Sequence, residues 1–270
     1  FIRQYSLTGN PADRTKYQIG VLREGDGKGG SVLMHRIFTL GRKIFISNPI
    51  NHFSLEKNSS KSFLIGGGIG ITPMIAMAHE LHSKKKDFSF HYCSPSRKKA
   101  GFMNILSSVK WLDKIHFHFT DEGTRANLSA ILREYKKNYN VYTCGPNNFM
   151  NSVIEAAQTA GFPENARHLE YFTAPEVPEY DNYAFKVILT KSKKEFDIPA
   201  DRTVTDILMD NGIHVDMKCT NGICGVCKCG LISGNVEHRD FVLSKKQREN
   251  TIILCQSRAL MQNGIIEIDL

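Results

Sequence analysis

The 270-residue chain contains no apolar run approaching the ~18 residues a membrane-crossing helix needs, and no signal-peptide pattern opens it. A membrane span is thereby excluded, no membrane partner is expected, and the cytoplasm is the expected setting. Its seven cysteines are too few, and odd in number, for a disulfide scaffold of this length. No internal repeat or low-complexity tract is present, which excludes a solenoid. A continuous basic stripe is missing too. Lys and Arg total 35 against 27 Asp and Glu, a formal +8, but residues 183–270 hold 12 basic and 11 acidic side chains. The first 182 residues therefore carry 23 against 16, and their basic runs at 84–86, 97–99 and 136–137 are short and scattered. Nucleic-acid binding wants one stripe or interleaved aromatics, so no nucleic-acid partner is expected.

What is present is a globular composition, 41% hydrophobic and 23% charged, in a chain long enough for two ordinary domains or three small ones. Residues 1–56 read as β and turn, with strand-like runs at 19–22 and 43–46. Strand–helix alternation then runs through 63–65, 74–81, 88–92, 114–119, 127–132, 141–144 and 149–160, the pattern of a parallel sheet covered by helices. Prolines 175 and 178, set among small and acidic residues, make 173–182 a linker. Beyond it, 183–270 reads as a small mixed α+β domain. A hairpin at 185–198 precedes a helix over 203–211, a cysteine-rich loop and three short strands.

That loop carries the strongest chemical signal: Cys219-Thr-Asn-Gly-Ile-Cys224-Gly-Val-Cys227, with Cys255 further on. The spacing C-x4-C-x2-C…C is the plant-type arrangement for a 2Fe–2S cluster, in which a tight loop supplies three thiolates and a returning strand the fourth. Structural zinc usually asks for paired C-x2-C knuckles, and only one such pair occurs. Cys229 and Cys93 read as small buried hydrophobes.

Two glycine-bearing turns point to a nucleotide. Phe63-Leu-Ile-Gly66-Gly67-Gly68-Ile-Gly70-Ile-Thr72-Pro73 is a strand, a turn and a helix start, where backbone N–H groups can meet a pyrophosphate. Cys144-Gly145-Pro146 lies at the end of a later strand, where doubly wound sheets place ligands. These turns, with Arg3-Gln-Tyr5-Ser6 and the cysteine loop, resemble the ferredoxin–NADP reductase superfamily. The order of parts over nearly all 270 residues is similar to the oxygenase reductases of the phthalate dioxygenase and vanillate demethylase type.

The resemblance implies three parts: the C-terminal part of a flavin-binding β-barrel (1–56), a doubly wound parallel-sheet NAD(P)H domain (57–172), and, after the linker, a β-grasp 2Fe–2S ferredoxin domain (183–270). Further barrel strands are implied ahead of the Arg-x-Tyr-Ser motif, so the barrel is expected to be incomplete from Phe1 onward. The resemblance assigns Tyr5 and Phe172 to packing on the flavin and Ser6 to a hydrogen bond near its N5. Arg3 and the Gly29-Gly30-Ser31 turn go to the flavin phosphate. Gly67, Gly68, Gly70, Thr72, Cys144, Gly145 and Pro146 go to the nicotinamide nucleotide.

FMN is expected over FAD, and NADH over NADPH, although Ser96 and Arg97 stand where a 2′-phosphate could bind and no acid follows the second strand. Asp121 and Glu122 are expected at the pocket rim. The implied function is an NAD(P)H-dependent reductase component feeding a protein partner, a Rieske non-haem iron oxygenase. The alternatives are a reductase feeding a P450 or another acceptor, and a redox-sensing module, which would need no nicotinamide site.

Overall fold

The computed structural model describes residues 3–27, 29–133, 135–176 and 180–270. The chain divides into two compact units, Arg3–Phe172 and Thr173–Leu270.

The first unit holds α1 (Gly30–Ile37), β1 (Lys61–Gly67), α2 (Ile71–Ser83), β2 (Asp87–Ser94), α3 (Met103–Leu106), β3 (Ile115–Phe119), α4 (Leu128–Ile131), β4 (Tyr139–Cys144), α5 (Asn147–Thr159) and β5 (Arg167–Glu170). All strand pairs are parallel, in the order β3-β2-β1-β4-β5. β1 is central and apolar nearly throughout because both of its faces are covered. On one face, α2 turns Ile71, Met74, Ile75, Ala78 and Leu81 inward at helical spacing against Phe88, Phe90, Tyr92 and Trp111. On the other, Val153 and Ala157 of α5 meet Phe63, Ile65, Val141 and Phe162. Each fully buried Ile, Met, Leu, Val or Phe among them contributes about 1.5–3 kcal/mol. Trp111, the single Trp, is 1% exposed and donates its indole N–H to His79 Nδ1 at 3.5 Å.

Residues 3–56 depart from the expected β structure. They contain α1 and one isolated bridge, Leu7 to Ile19, while 43–46 forms no strand and Ile44, Phe45 and Ile46 are exposed. The physical reason is pairing: a strand needs a hydrogen-bonded neighbour, and among the described residues none lies beside this run.

The second unit holds β6 (Phe185–Leu189), β7 (Lys194–Ile198), α6 (Val204–Asp210), β8 (Lys228–Ser233), β9 (Val236–Glu237), α7 (Lys245–Arg248), β10 (Thr251–Ile253), β11 (Arg258–Ala259) and β12 (Ile265–Ile268). Its main sheet runs β10-β8-β12-β6-β7, with β12 parallel to β6 and the other pairs antiparallel. Helix α6 starts in a capping box, Thr203 with Asp206, and buries Val204 and Leu208 in the core of this unit. This mixed sheet gripping one helix is the β-grasp arrangement. Arg258, 6% exposed, stays charged inside the unit by donating to the carbonyls of Arg202, Pro199 and Tyr183 at 2.7–2.9 Å. Val177, Pro178 and Glu179 of the expected linker lie outside the described residues.

Candidate functional site

In the first unit the strand order reverses between β1 and β4, and ligands of doubly wound sheets bind beyond the carboxyl ends of strands at such a point. The two glycine turns meet there. A Cβ on Gly70 would fall 2.3 Å from the carbonyl of Cys144, so only glycine lets the β1 turn lie against the end of β4. Gly67 packs on Phe149 and Gly145. Thr72 is buried, and its hydroxyl donates to the Ile69 carbonyl, which holds the turn. Gly68 opens onto a cavity of about 300 Å³ that Gly20, Leu22, Tyr92, Lys99 and Phe102 also line. Pro146 begins α5 as its N-cap residue.

Register then brings a carboxylate to this edge. Cys144 of β4 and Glu170 of β5 are paired positions, and the Ser6 hydroxyl donates to Glu170 Oε2 at 3.1 Å. Burial pushes the Glu170 carboxyl above its ordinary range, partly opposed by the Ser6 bond. Burial, with the Glu170 charge adding to it, pushes the Cys144 thiol well up, so that sulfur is a neutral contact. Burial likewise raises Tyr5, one residue before Ser6. Phe172 follows Glu170 by two residues and is 41% exposed.

Arg3 lies at the start of α1. A Cβ on Gly30 would come 2.7 Å from Arg3 Nε, so the bare glycine makes room for the guanidinium. Gly29 precedes it in a left-handed conformation, and the first turn of α1 carries no acid. The Ser31 hydroxyl accepts the Glu24 N–H at 3.1 Å and keeps its own proton to donate. A guanidinium at a helix N-terminus fits a phosphate.

After β2, Ser96 accepts the Lys99 N–H at 3.2 Å and caps the turn Arg97–Lys99. Arg97 lines a second cavity of about 510 Å³, with Ala100, Phe102, Met103, Asn104 and Ile105. Its guanidinium pairs with Glu122 and lies over the Phe119 ring, with Asp121 adding charge nearby.

In the second unit the four expected cysteines come together. Cys224, Cys227 and Cys255 are buried, Cys219 half-buried, and all seven cysteines of the chain are free thiols. Cys219 shares hydrogen bonds with Cys224 and Cys255, and Cys227 with Cys255. Backbone N–H groups of Asn221 and Ile223 point at Cys219, that of Val226 at Cys224 and that of Gly222 at Cys255. Gly222 supplies its share from a left-handed conformation, φ +70°, with the backbone of Arg239 and Asp240 close against it. The Cys224 and Cys255 thiols hold Cys219 far below the ordinary thiol range, and Cys255 brings Cys227 down to about 7. The same bonds and burial push Cys224 and Cys255 up.

Four sulfurs this close share protons when no metal is bound, and metal binding releases those protons. Among the described residues no group of His, Cys, Asp or Glu is drawn tightly enough for a single ion. Four thiolates fringed by N–H donors suit a binuclear cluster, which spreads its ligands over two irons. Cys93 and Cys229 are half-buried, and burial raises both thiols, Cys93 to about 12.

Comparison with known proteins bears on both units. Residues 187–260 match the 2Fe-2S iron-sulfur cluster binding domain family. Vanillate O-demethylase oxidoreductase from Pseudomonas sp. (strain HR199 / DSM 7063) is 37% identical over 262 residues, 96% of this chain and 83% of that protein. The chain belongs to the oxygenase reductases. The solved structure of phthalate dioxygenase reductase, described as a modular structure for electron transfer from pyridine nucleotides to [2Fe-2S], aligns with this reductase at a TM-score of 0.66. Identity there is 32%, over 99% of this chain and 83% of that one. An intact type IV self-sufficient cytochrome P450 monooxygenase aligns at a TM-score of 0.87 and 34% identity, over 99% of this chain but only 35% of that one.

The reductase is thus an NAD(P)H-dependent flavin and 2Fe–2S oxidoreductase that supplies electrons to an oxygenase. Glu170 was not among the residues singled out from sequence. The available signal was an acid closing a strand at the carboxyl edge, two residues before Phe172.

Proposed function

We propose that this reductase oxidises NADH at the edge formed by Ser6, Cys144 and Glu170 and delivers electrons through Cys219, Cys224, Cys227 and Cys255 to a Rieske non-haem iron oxygenase. The convergence of Ser6 and Glu170 beside Cys144 carries the reading, because it joins the flavin motif to the nicotinamide motif at one point. When bound, a flavin takes an electron pair from a nicotinamide and hands on single electrons, which a 2Fe–2S cluster accepts.

The chain's own residues bind and orient. Arg3, with the N–H and hydroxyl groups of Gly29, Gly30 and Ser31, holds the flavin phosphate. A terminal monoester dianion suits that guanidinium, which favours FMN over FAD. Tyr5 and Phe172 cover the flavin ring faces. The Ser6 hydroxyl, whose proton goes to Glu170, would offer its oxygen as an acceptor at the flavin edge. The neutral Cys144 thiol shapes the nicotinamide pocket without covalent work. Gly68 lies against the pyrophosphate, while Gly67, Gly70, Thr72, Gly145 and Pro146 keep the turns in place. Ser96 and Arg97 meet the adenosine end. In the second unit, N–H groups around the four sulfurs stabilise the extra negative charge of the reduced cluster.

Cys93, Cys144 and Cys229, the cysteines outside the cluster set, form no disulfide, which suits the reducing cytoplasm. The alignment with a P450 monooxygenase supports a second reading, electron delivery to a P450 haem. Reconstitution with iron, sulfide and FMN or FAD, followed by NADH-driven reduction of a purified Rieske oxygenase and of a P450, separates the two. Faster reduction of the Rieske protein is expected; reduction of the P450 alone contradicts the proposal.

A further inference from the structure

Arg97 stands where a nucleotide's 2′-phosphate would sit, yet its guanidinium is already taken. Nε donates to Glu122 Oε1 at 3.0 Å and Nη2 to Glu122 Oε2 at 3.1 Å, and the Phe119 ring lies 4.6 Å from the guanidinium carbon. The two side chains are 57% and 39% exposed, so the pair adds little to stability. What it does is occupy one two-pronged edge of the arginine fork.

The place is fixed by backbone. The Thr120 N–H donates to the Ser94 carbonyl at 3.2 Å and the Asp121 N–H to the Pro95 carbonyl at 3.1 Å, which ties the turn after β3 to the turn after β2. Sheets of this kind usually set an acid at the end of β2 to receive the ribose 2′-hydroxyl. Here β2 leads into Ser94-Pro95-Ser96, and the carboxylate arrives from the neighbouring turn instead.

We propose that Glu122 is the specificity-determining residue of the nucleotide site, blocking the guanidinium donors a 2′-phosphate would need and offering its own oxygens to a ribose 2′-hydroxyl. Asp121 adds a second negative charge against a phosphate dianion. Lys99, of the same turn, lines the cavity onto which Gly68 opens. The inference rests on the reading of this edge as the nicotinamide nucleotide site, and it gives NADH preference a named cause.

Calorimetric titration of the full chain with 5′-ADP and with 2′,5′-ADP tests it independently of turnover. Glu122→Gln is expected to tighten 2′,5′-ADP about tenfold while 5′-ADP stays within about threefold, and Arg97→Ala added to Glu122→Gln is expected to abolish the gain. In the flavin-loaded enzyme Glu122→Gln alone is expected to lower the KM for NADPH relative to that for NADH about tenfold. An unchanged ratio of the two affinities overturns the role of Glu122 while leaving the nucleotide site standing. Failure of 5′-ADP to bind either protein overturns both.

Discussion

Between Cys219 and Cys227 three of the four proposed cluster ligands lie within nine residues, and Cys255 joins them from just beyond β10. At the edge of the parallel sheet, Ser6 reaches Glu170 across 164 residues of chain, and Glu170 faces Cys144 only because β4 and β5 pair in one register. The first site draws three ligands from one loop and a fourth from just past the strand that returns to it. The second is assembled by the sheet and depends on everything that holds the sheet in register.

The largest effect expected from this contrast comes from Cys255→Ser. It removes the returning ligand, and iron content and the visible absorbance of the cluster fall from about two irons per chain to about none. Nicotinamide-driven flavin reduction in the first unit survives; its loss would deny the separation of the two sites. Trp111→Ala strikes the other side. Emptying a fully buried indole costs about 3–5 kcal/mol in the first unit. Denaturant melts followed separately by far-UV dichroism and cluster absorbance are expected to show an early first transition and an unmoved second one.

Acid sharpens the comparison further. Burial first, then the neighbouring His116, His118 and Lys61 charges, lowers His91 to about 3. A histidine depressed in the folded state favours folding above its ordinary value of about 6.5, and that stability is lost as pH falls from there toward 3. The first unit is expected to lose on the order of 3 kcal/mol over this window, and His91→Leu to flatten the loss. A smaller effect is expected from Ser6→Ala, about a tenfold slower hydride step with NADH affinity unchanged, measured by stopped-flow reduction.

The same contrast governs what could be read from the chain alone. The C-x4-C-x2-C spacing is chemistry on consecutive residues, so the loop was legible before any fold. The strand–helix alternation from β1 to α5 was legible because β1 is apolar from Phe63 onward and α2 keeps helical spacing on its buried face. Runs 19–22 and 43–46 have strand composition, but composition does not provide the neighbouring strand they need. Glu170 and the pairing of Arg97 with Glu122 were hidden for a related reason. Each depends on which strand lies beside which, and single residues carry no mark of it. Gly70 is instructive in the opposite direction: expected at the nicotinamide nucleotide, it also packs on Cys144 and so brings the two glycine turns together.

An anaerobic NADH titration of the flavin- and iron-loaded chain, with flavin and cluster absorbance followed separately, tests the central claim most directly. The native protein is expected to bleach in both bands, flavin first, and the Cys255→Ser protein in the flavin band alone. Cluster reduction by NADH in protein stripped of flavin, or no bleaching at all in the loaded native chain, would contradict the account.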